Sequence, residues 1–460
     1  MSAMTQSEPT GSAPGEFSMK IGDAIAYAMQ RHQGGDLRQA EQIYEAVLAQ
    51  DPDRIEVLNV LGILKYQRGE HEAAIALMRR VVEADPTADG AWNNLGNALL
   101  GRNQIDEAAQ AYKRSLELVP TAEAWANLSR IFRRRGDLAV SEQACLQALA
   151  LAPDHPVATH NLALACLGQR KIEEGVAHAL RAMQLLQPHE RRRQVYVQYL
   201  LVAEEPEHAV RILKAWQEQE PDNPYVLHHL AACSGGAMPQ RASDAYVENE
   251  FDSFAATFDS TLERLKYRAP WIVADAVKAA LPPPARQFDV IDLGCGTGLC
   301  GPLLQPWARL LVGCDLSTAM LIQASHRDVY DELRKAELTA FLRGRPDAFD
   351  VAISADTLNY FGELGEVAQA VHGALRAGGV FVFTLEALPA GDTGVVRLLP
   401  HGRYAHAGGH AQRAFADAGL VVDAPVGVML REENKVPVQG WLVVARRPAG
   451  ALTHAGAHSV

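Results

Sequence analysis

The stretch "DVIDLGCGTGLCG", residues 289–301, decides how the second half of this chain folds. An apolar run ends in closely spaced glycines, the pattern of a β-strand that feeds a tight turn where a ligand meets the backbone. Two readings overlap there. From Gly296 the chain spells G-T-G-L-C-G, which satisfies the dinucleotide-binding fingerprint; from Gly294 it spells D-L-G-C-G-T-G, which does not. Asp292, two residues ahead of the first glycine, separates them.

Outward from this loop, short β-branched runs alternate with helical stretches. "FDVIDL" (288–293), "RLLVGCD" (309–315), a short strand near Glu337, "FDVAIS" (349–354) and "GGVFVFTLE" (378–386) read as strands, and the runs at 419–430 and 438–447 as a closing antiparallel pair. That order predicts a mostly parallel, Rossmann-like α/β sheet with helices on both faces. Ligands of such a sheet lie beyond the carboxyl ends of its strands. The ends deliver Asp292 with the glycine loop, then Asp315, then Asp356.

Before Gly236 the texture is different, because the chain repeats itself. Pro52, Pro86, Pro120 and Pro153 follow one another at 34, 34 and 33 residues, each closing a segment of helical apolar spacing. Eight and twelve positions ahead of these prolines stand Tyr44 and Ala40, Met78 and Ala74, Tyr112 and Ala108, Cys145 and Ser141. This resembles the tetratricopeptide repeat (TPR), a pair of antiparallel helices with small residues where they cross. The resemblance predicts an α-solenoid of about five to six repeats plus a cap helix. Asn94, Asn127 and Asn161 fall at equivalent positions, so an amide ladder along the groove would suit a peptide or protein partner; the alternative is that Asn is simply common before the Leu that follows.

The 460 residues are 48% hydrophobic and 21% charged, the composition of a soluble chain of several domains, and no apolar run is long enough for a membrane span. A formal charge of −12 argues against nucleic acid as partner, and Arg133 to Arg135 and Arg191 to Arg193 read as solvated helix faces. Six scattered cysteines and a start without signal-peptide character point to a reducing, cytoplasmic setting. The expected boundaries are a disordered tail at 1–18, the TPR solenoid at 19–236, a linker and lead-in helix at 237–265, the α/β domain at 266–448 and a flexible tail at 449–460.

Both candidate ligands of the glycine loop want glycines and an acid on the second strand. A dinucleotide would bring its pyrophosphate here, and a fixed carboxylate near 4 Å would repel it by roughly 1 to 4 kcal/mol. A cationic ligand would be attracted. At these residues the sequence resembles the class I S-adenosylmethionine-dependent methyltransferases, over roughly residues 243–448. The resemblance implies that Gly294, Cys295, Gly296 and Gly298 form the loop around the methionine part of S-adenosyl-L-methionine, with Asp292 near its amino group. It implies that Asp315 of "GCDLS" holds the ribose beside Leu316 and Met320, that Glu337 and Leu338 of "KAELTAFL" meet the adenine, and that Asp356 of "ADTLNYF" faces cofactor and acceptor. Repeats joined to this domain, the lead-in "FDSFAATFDSTLERLKYRAP" and the later "GRYAH" are similar to a bacterial group of repeat-containing methyltransferases.

Methyl transfer from a sulfonium needs mainly alignment, and a base only where the acceptor must lose a proton. The candidates for that base lie in "LLPHGRYAHAGGH" (398–410): His406 first, with Tyr404 and Arg403 to orient an acceptor. Tyr246 and Tyr360 are placed to help close the pocket. His401, His406 and His410 have no recognised metal-ligand spacing, so no metal is expected. Three functions remain open on sequence: a methyltransferase whose repeats recruit a protein, an adaptor that senses the cofactor without turnover, and a nicotinamide-dependent oxidoreductase, which Asp292 disfavours.

Overall fold

The computed structural model describes residues 20–449; residues 1–19 and 450–460, which hold nearly all of the two expected tails, lie outside the described residues. Two compact units divide the chain, one up to Arg192 and one from Arg193 onward.

The first unit is five helix pairs: α1 (Ile21–Gln33) with α2 (Leu37–Gln50), α3 (Ile55–Gln67) with α4 (His71–Ala84), α5 (Asp89–Gly101) with α6 (Ile105–Leu118), α7 (Ala122–Arg135) with α8 (Leu138–Leu151), and α9 (Pro156–Gly168) with α10 (Ile172–Leu185). Each pair turns through one left-handed residue: Gly35, Gly69, Asn103, Gly136 or Arg170. Ala40, Tyr44, Ala74, Met78, Ala108, Tyr112, Ser141 and Cys145 are wholly buried at the helix crossings. The crossings are close because the facing residue is small. A Cβ on Gly62 would come within 2.7 Å of Met78 Cε, and one on Gly96 within 2.6 Å of Tyr112 Cε1.

The asparagine ladder takes a different form. Asn127 and Asn161 are buried, and their amides stitch successive repeats together instead of facing a groove. Asn127 Nδ2 donates to Asn93 Oδ1 at 3.1 Å, while Asn161 Nδ2 donates to the Ala126 carbonyl at 2.9 Å and to Ser129 Oγ at 3.0 Å. A buried amide without such partners would carry a desolvation penalty of about 1 to 3 kcal/mol, so packing claims them first. Asn94 is half-buried.

The boundary falls inside α11 (Glu190–Val202), and α12 (Pro206–Gln219) and α13 (Pro224–Cys233) follow, packed on each other. Arg193, expected on a solvated face, is buried: it donates to Glu220 at 2.7 Å and lies over the Trp216 ring. Helices α14 (Asp244–Phe254), α15 (Phe258–Arg264) and α16 (Ala269–Ala280) lead into the sheet.

Its strands are β1 (Phe288–Leu293), β2 (Ala308–Asp315), β3 (Glu332–Lys335), β4 (Phe349–Ser354), β5 (Leu375–Ala387), β6 (Val396–Leu398), β7 (Tyr404–His406), β8 (Val421–Val422), β9 (Val426–Glu433) and β10 (Val436–Arg446). The order is β3-β2-β1-β4-β5-β10-β8, with β1 to β5 parallel, β10 antiparallel to β5, and β9 antiparallel to β10. The side-chain period of two sends Ile291 and Leu293 into one core and Val290 into the other. Helices cover both faces, so the order reverses at β1 and β4 and opens a crevice beyond their ends.

Three expectations shift. The strand placed near Glu337 ends at Lys335, and Glu337 caps the next helix, Leu338–Arg343, with its side chain. The run at 419–430 is cut into β8 and the start of β9 by a break at 423–425 that contains Pro425, whose ring removes a ladder donor. Part of the 398–410 loop is a hairpin, with β6 antiparallel to β7 and β7 parallel to the end of β5.

Candidate active site

The crevice is organised by Asp315. One carboxylate oxygen accepts from the Gly296 N–H at 2.9 Å and the other from Ser317 N–H at 2.8 Å, so the acid ties the glycine loop to the turn after β2. Gly294 and Gly296 have φ of +68° and +54°, a region that favours glycine. A Cβ on Gly294 would lie 2.2 Å from Thr357 Cγ2, which closes that position to any side chain.

Gly294, Gly296, Asp315, Leu316, Glu337, Leu338 and Asp356 line one cavity, together with Arg403. Asp292, Cys295, Gly298 and Met320 do not line it; they form the layer behind. Cys295 and Met320 are buried, and a Cβ on Gly298 would meet the Tyr330 ring at 2.9 Å. Asp292 is 1% exposed, and its Oδ2 accepts from the Tyr330 hydroxyl at 2.7 Å. Burial pushes its pKa up to about 7, the Tyr330 bond opposing and Asp315 adding to the shift. Among the described residues its Oδ1 has no partner, and neither does the buried Oε1 of Glu337, whose Oε2 accepts from Ala340 N–H at 2.9 Å. A glycine cradle backed by a buried carboxyl whose Oδ1 has no partner among the described residues fits a cationic ligand and opposes a phosphate.

The acceptor-side expectations divide. Arg403 reaches the cavity, but Tyr404 and His406 do not. Strand β7 turns both into the protein. The Tyr404 hydroxyl donates to the Pro239 carbonyl at 2.9 Å, and its ring packs so closely that a Cβ on Gly362 would fall 2.7 Å from it. His406 is wholly enclosed, its ring stacked 5.4 Å from His410, and burial pushes its pKa down to about 3. A ring so placed has no path to an acceptor, so His406 is a core residue. Tyr360 lines the cavity, whereas Tyr246 is stacked 4.0 Å from His228, away from it.

The wall beyond Asp356 holds a charged network that sequence reasoning missed. Arg431 donates to Asp356 at 2.6 Å, Glu386 at 2.7 Å and Glu433 at 2.7 Å; Arg403 donates to Glu386 at 2.9 Å and Glu433 at 2.7 Å. Asn359 donates to Asp356 at 2.6 Å and accepts from Glu386 N–H at 2.7 Å. Burial would raise the Glu386 carboxyl, but His401, Arg403 and Arg431 outweigh it and hold the group well below the usual range. Glu433 is likewise held low against burial by Arg403 and Arg431. The signal was "LREE", charges set two apart in an apolar run, which puts Arg431 and Glu433 on one face of β9.

Helices α14 and α15 cover the crevice. Asp252 accepts from the Ser317 hydroxyl at 2.5 Å and Ala319 N–H at 3.1 Å, and Asp259 accepts from the Thr297 hydroxyl at 2.6 Å and from Arg327 at 2.5 Å. Phe251, Phe254 and Phe258 pack edge to face beneath, with Phe251 5.5 Å from Tyr360.

Residues 291–383 match the family described as "Methyltransferase domain", and residues 32–87 and 93–156 match two families described as "Tetratricopeptide repeat". Among curated relatives, human methyltransferase-like protein 27 is 33% identical over 118 residues, 25% of this chain and 46% of the relative. The bovine 18S rRNA (guanine-N(7))-methyltransferase is 29% identical over 138 residues, 30% of this chain and 48% of the relative. A solved S-adenosylmethionine dependent methyltransferase from Mesorhizobium loti is 26% identical, covering 38% of this chain and 96% of its own, with a TM-score of 0.31. The chain spans about half the length of the curated relatives it matches. It carries a class I S-adenosylmethionine-dependent methyltransferase domain behind tetratricopeptide repeats, and the cofactor of such a domain is S-adenosyl-L-methionine. Among the described residues no helix is long and apolar enough to cross a membrane.

Proposed function

We propose that the protein transfers a methyl group from S-adenosylmethionine to an acceptor held between the phenylalanine lid and the Arg403–Arg431 wall, and that its repeats recruit a protein partner. The observation that carries this reading is Asp292, buried behind the glycine loop with one oxygen that has no partner among the described residues. Bound there, S-adenosylmethionine supplies an electrophilic methyl on a sulfonium. The rest falls to the chain's own groups. Gly294, Gly296 and Gly298 shape the loop with Cys295, Asp292 draws in the ammonium end, and Asp315 holds the ribose. Leu316, Met320, Glu337 and Leu338 enclose the adenosine, and Asp356 stands between cofactor and acceptor.

Alignment of the acceptor under a lid that excludes water is worth about 7 to 11 kcal/mol of barrier, so no base is required for an acceptor that attacks in its neutral form. The guanine N7 named for the ribosomal RNA relatives is not carried over, because the formal charge of −12 gives a polyanion little to bind.

Calorimetric titration with S-adenosylmethionine and with NADH tests the reading. Tight binding of the first, lost in Asp315→Ala, is the expected result; preference for NADH would sink it. Labelled-methyl transfer into a lysate separates an enzyme from a sensor.

A further inference from the structure

The cavity's far wall states what kind of molecule it accepts. Asp356 and Glu433 line it and Glu386 stands buried behind them; the three acids offer six carboxylate oxygens, and five already accept from Asn359, His401, Arg403 or Arg431. The sixth, Glu433 Oε2, accepts from no described residue, and Glu433 is both the most exposed of the three, with 34% of its side chain reachable, and a cavity-lining residue. His401 is oriented by the Arg403 N–H, which donates to its Nδ1 at 3.3 Å and leaves Nε2 to donate to Glu386 at 3.2 Å. Both guanidinia are thus engaged by carboxylates that outnumber them, and Arg241, the remaining cation among the described lining residues, donates to Asp244 at 2.5 Å, so an anionic acceptor meets no unpaired cation among them. Elsewhere the same cavity is lined by Phe254, Phe258, Leu262, Leu265, Tyr267 and Tyr360, apolar or aromatic surface that fits a ring.

We infer that the acceptor is a compact, uncharged aromatic molecule presenting a hydroxyl or amine to Glu433 Oε2, and that carboxylate-bearing acceptors are excluded. The inference rests on the methyltransferase reading above. In the transfer the acceptor's lone pair forms the bond to the methyl carbon while the carbon–sulfur bond breaks, its electrons leaving the sulfur neutral as S-adenosylhomocysteine. The acceptor's proton passes to Glu433 Oε2 and on to water. Glu433 is therefore a catalytic residue, whereas Arg403 and Arg431 are positioning residues that hold its other oxygen.

Three probes of one shape test this on the full chain loaded with S-adenosylhomocysteine: 4-methylphenol, 4-methylaniline and 4-methylbenzoate, titrated by calorimetry at millimolar concentration. The phenol or the aniline is expected to bind at least about tenfold more tightly than the benzoate. Glu433→Gln should remove that preference while binding S-adenosylhomocysteine within about twofold of the parent, which also certifies its fold. A preference for the benzoate, no measurable binding of either donor probe, or an unchanged preference in folded Glu433→Gln overturns the inference alone. Failure of the parent chain to bind S-adenosylhomocysteine removes the methyltransferase reading and this inference with it.

Discussion

The imidazole of His228 donates from Nε2 to the Gly402 carbonyl at 2.8 Å, across 174 residues of sequence. Beside it His229 Nδ1 donates to the Pro400 carbonyl at 3.2 Å, and the Tyr246 hydroxyl meets His229 Nε2 at 3.4 Å. The turn so clipped runs directly into Arg403. Helix α13 therefore holds the backbone that aims a cavity residue. His228→Ala should cost about 1 to 3 kcal/mol in urea unfolding, the penalty of leaving a buried carbonyl unpaired. Hydrogen exchange of the 399–403 turn should rise with it; an unchanged exchange rate would show that the clip does not restrain the turn.

Acid should weaken the fold before the carboxylates titrate. Burial lowers the pKa of His160 to about 4, of His229 and His406 to about 3, and also lowers His178 and His228. In each, the unfolded chain takes up a proton near pH 6.5 that the folded one refuses, so stability is complete above 6.5 and is lost as pH falls. Asp292 and Asp315, raised by burial, work the other way but are outnumbered. Depressed acids such as Glu386 keep their full stabilisation above their unfolded value, near 4.5, and begin to lose it only below that. Thermal melts between pH 6.5 and 4.5 should show a falling midpoint, with a slope of up to about 1.4 kcal/mol per pH unit for each fully enclosed histidine. A flat profile would contradict the burial of these rings.

Asp292→Asn should stabilise the unliganded protein and impair ligand binding. Burial pushes the carboxyl up to about 7, so at pH 8 the folded chain carries a desolvation cost, on the order of a few kcal/mol, that the neutral amide does not incur. An asparagine oxygen can still accept from Tyr330. Calorimetry should show S-adenosylmethionine affinity reduced about tenfold or more while the melting midpoint at pH 8 rises; a midpoint that falls would mean that the carboxylate is stabilised by its surroundings.

Arg431→Ala removes the cation shared by three acids and leaves each with fewer partners in a site where Arg431 is 4% exposed. A loss of about 3 to 5 kcal/mol is expected from an uncompensated buried charge, measured by urea unfolding. Arg431→Met, which keeps the volume, should cost nearly as much, because charge rather than size is what is lost.

In the repeats, Gly96→Ala drives a methyl to 2.6 Å from the Tyr112 ring and should cost about 1 to 3 kcal/mol by overpacking. Gly90, in the same helix, has nothing within 4 Å, so Gly90→Ala should stabilise by about 0.4 to 1 kcal/mol. Opposite signs for two alanines six residues apart in one helix are the measurable signature of the crossing.

The periodic prolines, the small residues at the crossings and the strand ending in Gly294 are local patterns, and local patterns are readable because helix period, strand period and glycine backbone freedom act over a few residues. Asp315 and Glu337 reach the cavity from the strand ends where such a sheet places its ligands. The acceptor wall could not be read this way, since Glu386 comes from β5, Arg431 and Glu433 from β9 and Arg403 from the turn that enters β7, and their neighbourhood depends on β10 and β7 joining β5. The same pairing explains the misplaced histidine: β7 docks on β5 with His406 turned inward, a parity that only the register sets. Asn127 and Asn161 repeat the lesson, because whether an amide faces a groove or the next repeat depends on stacking, and buried donors take the nearest carbonyl or amide.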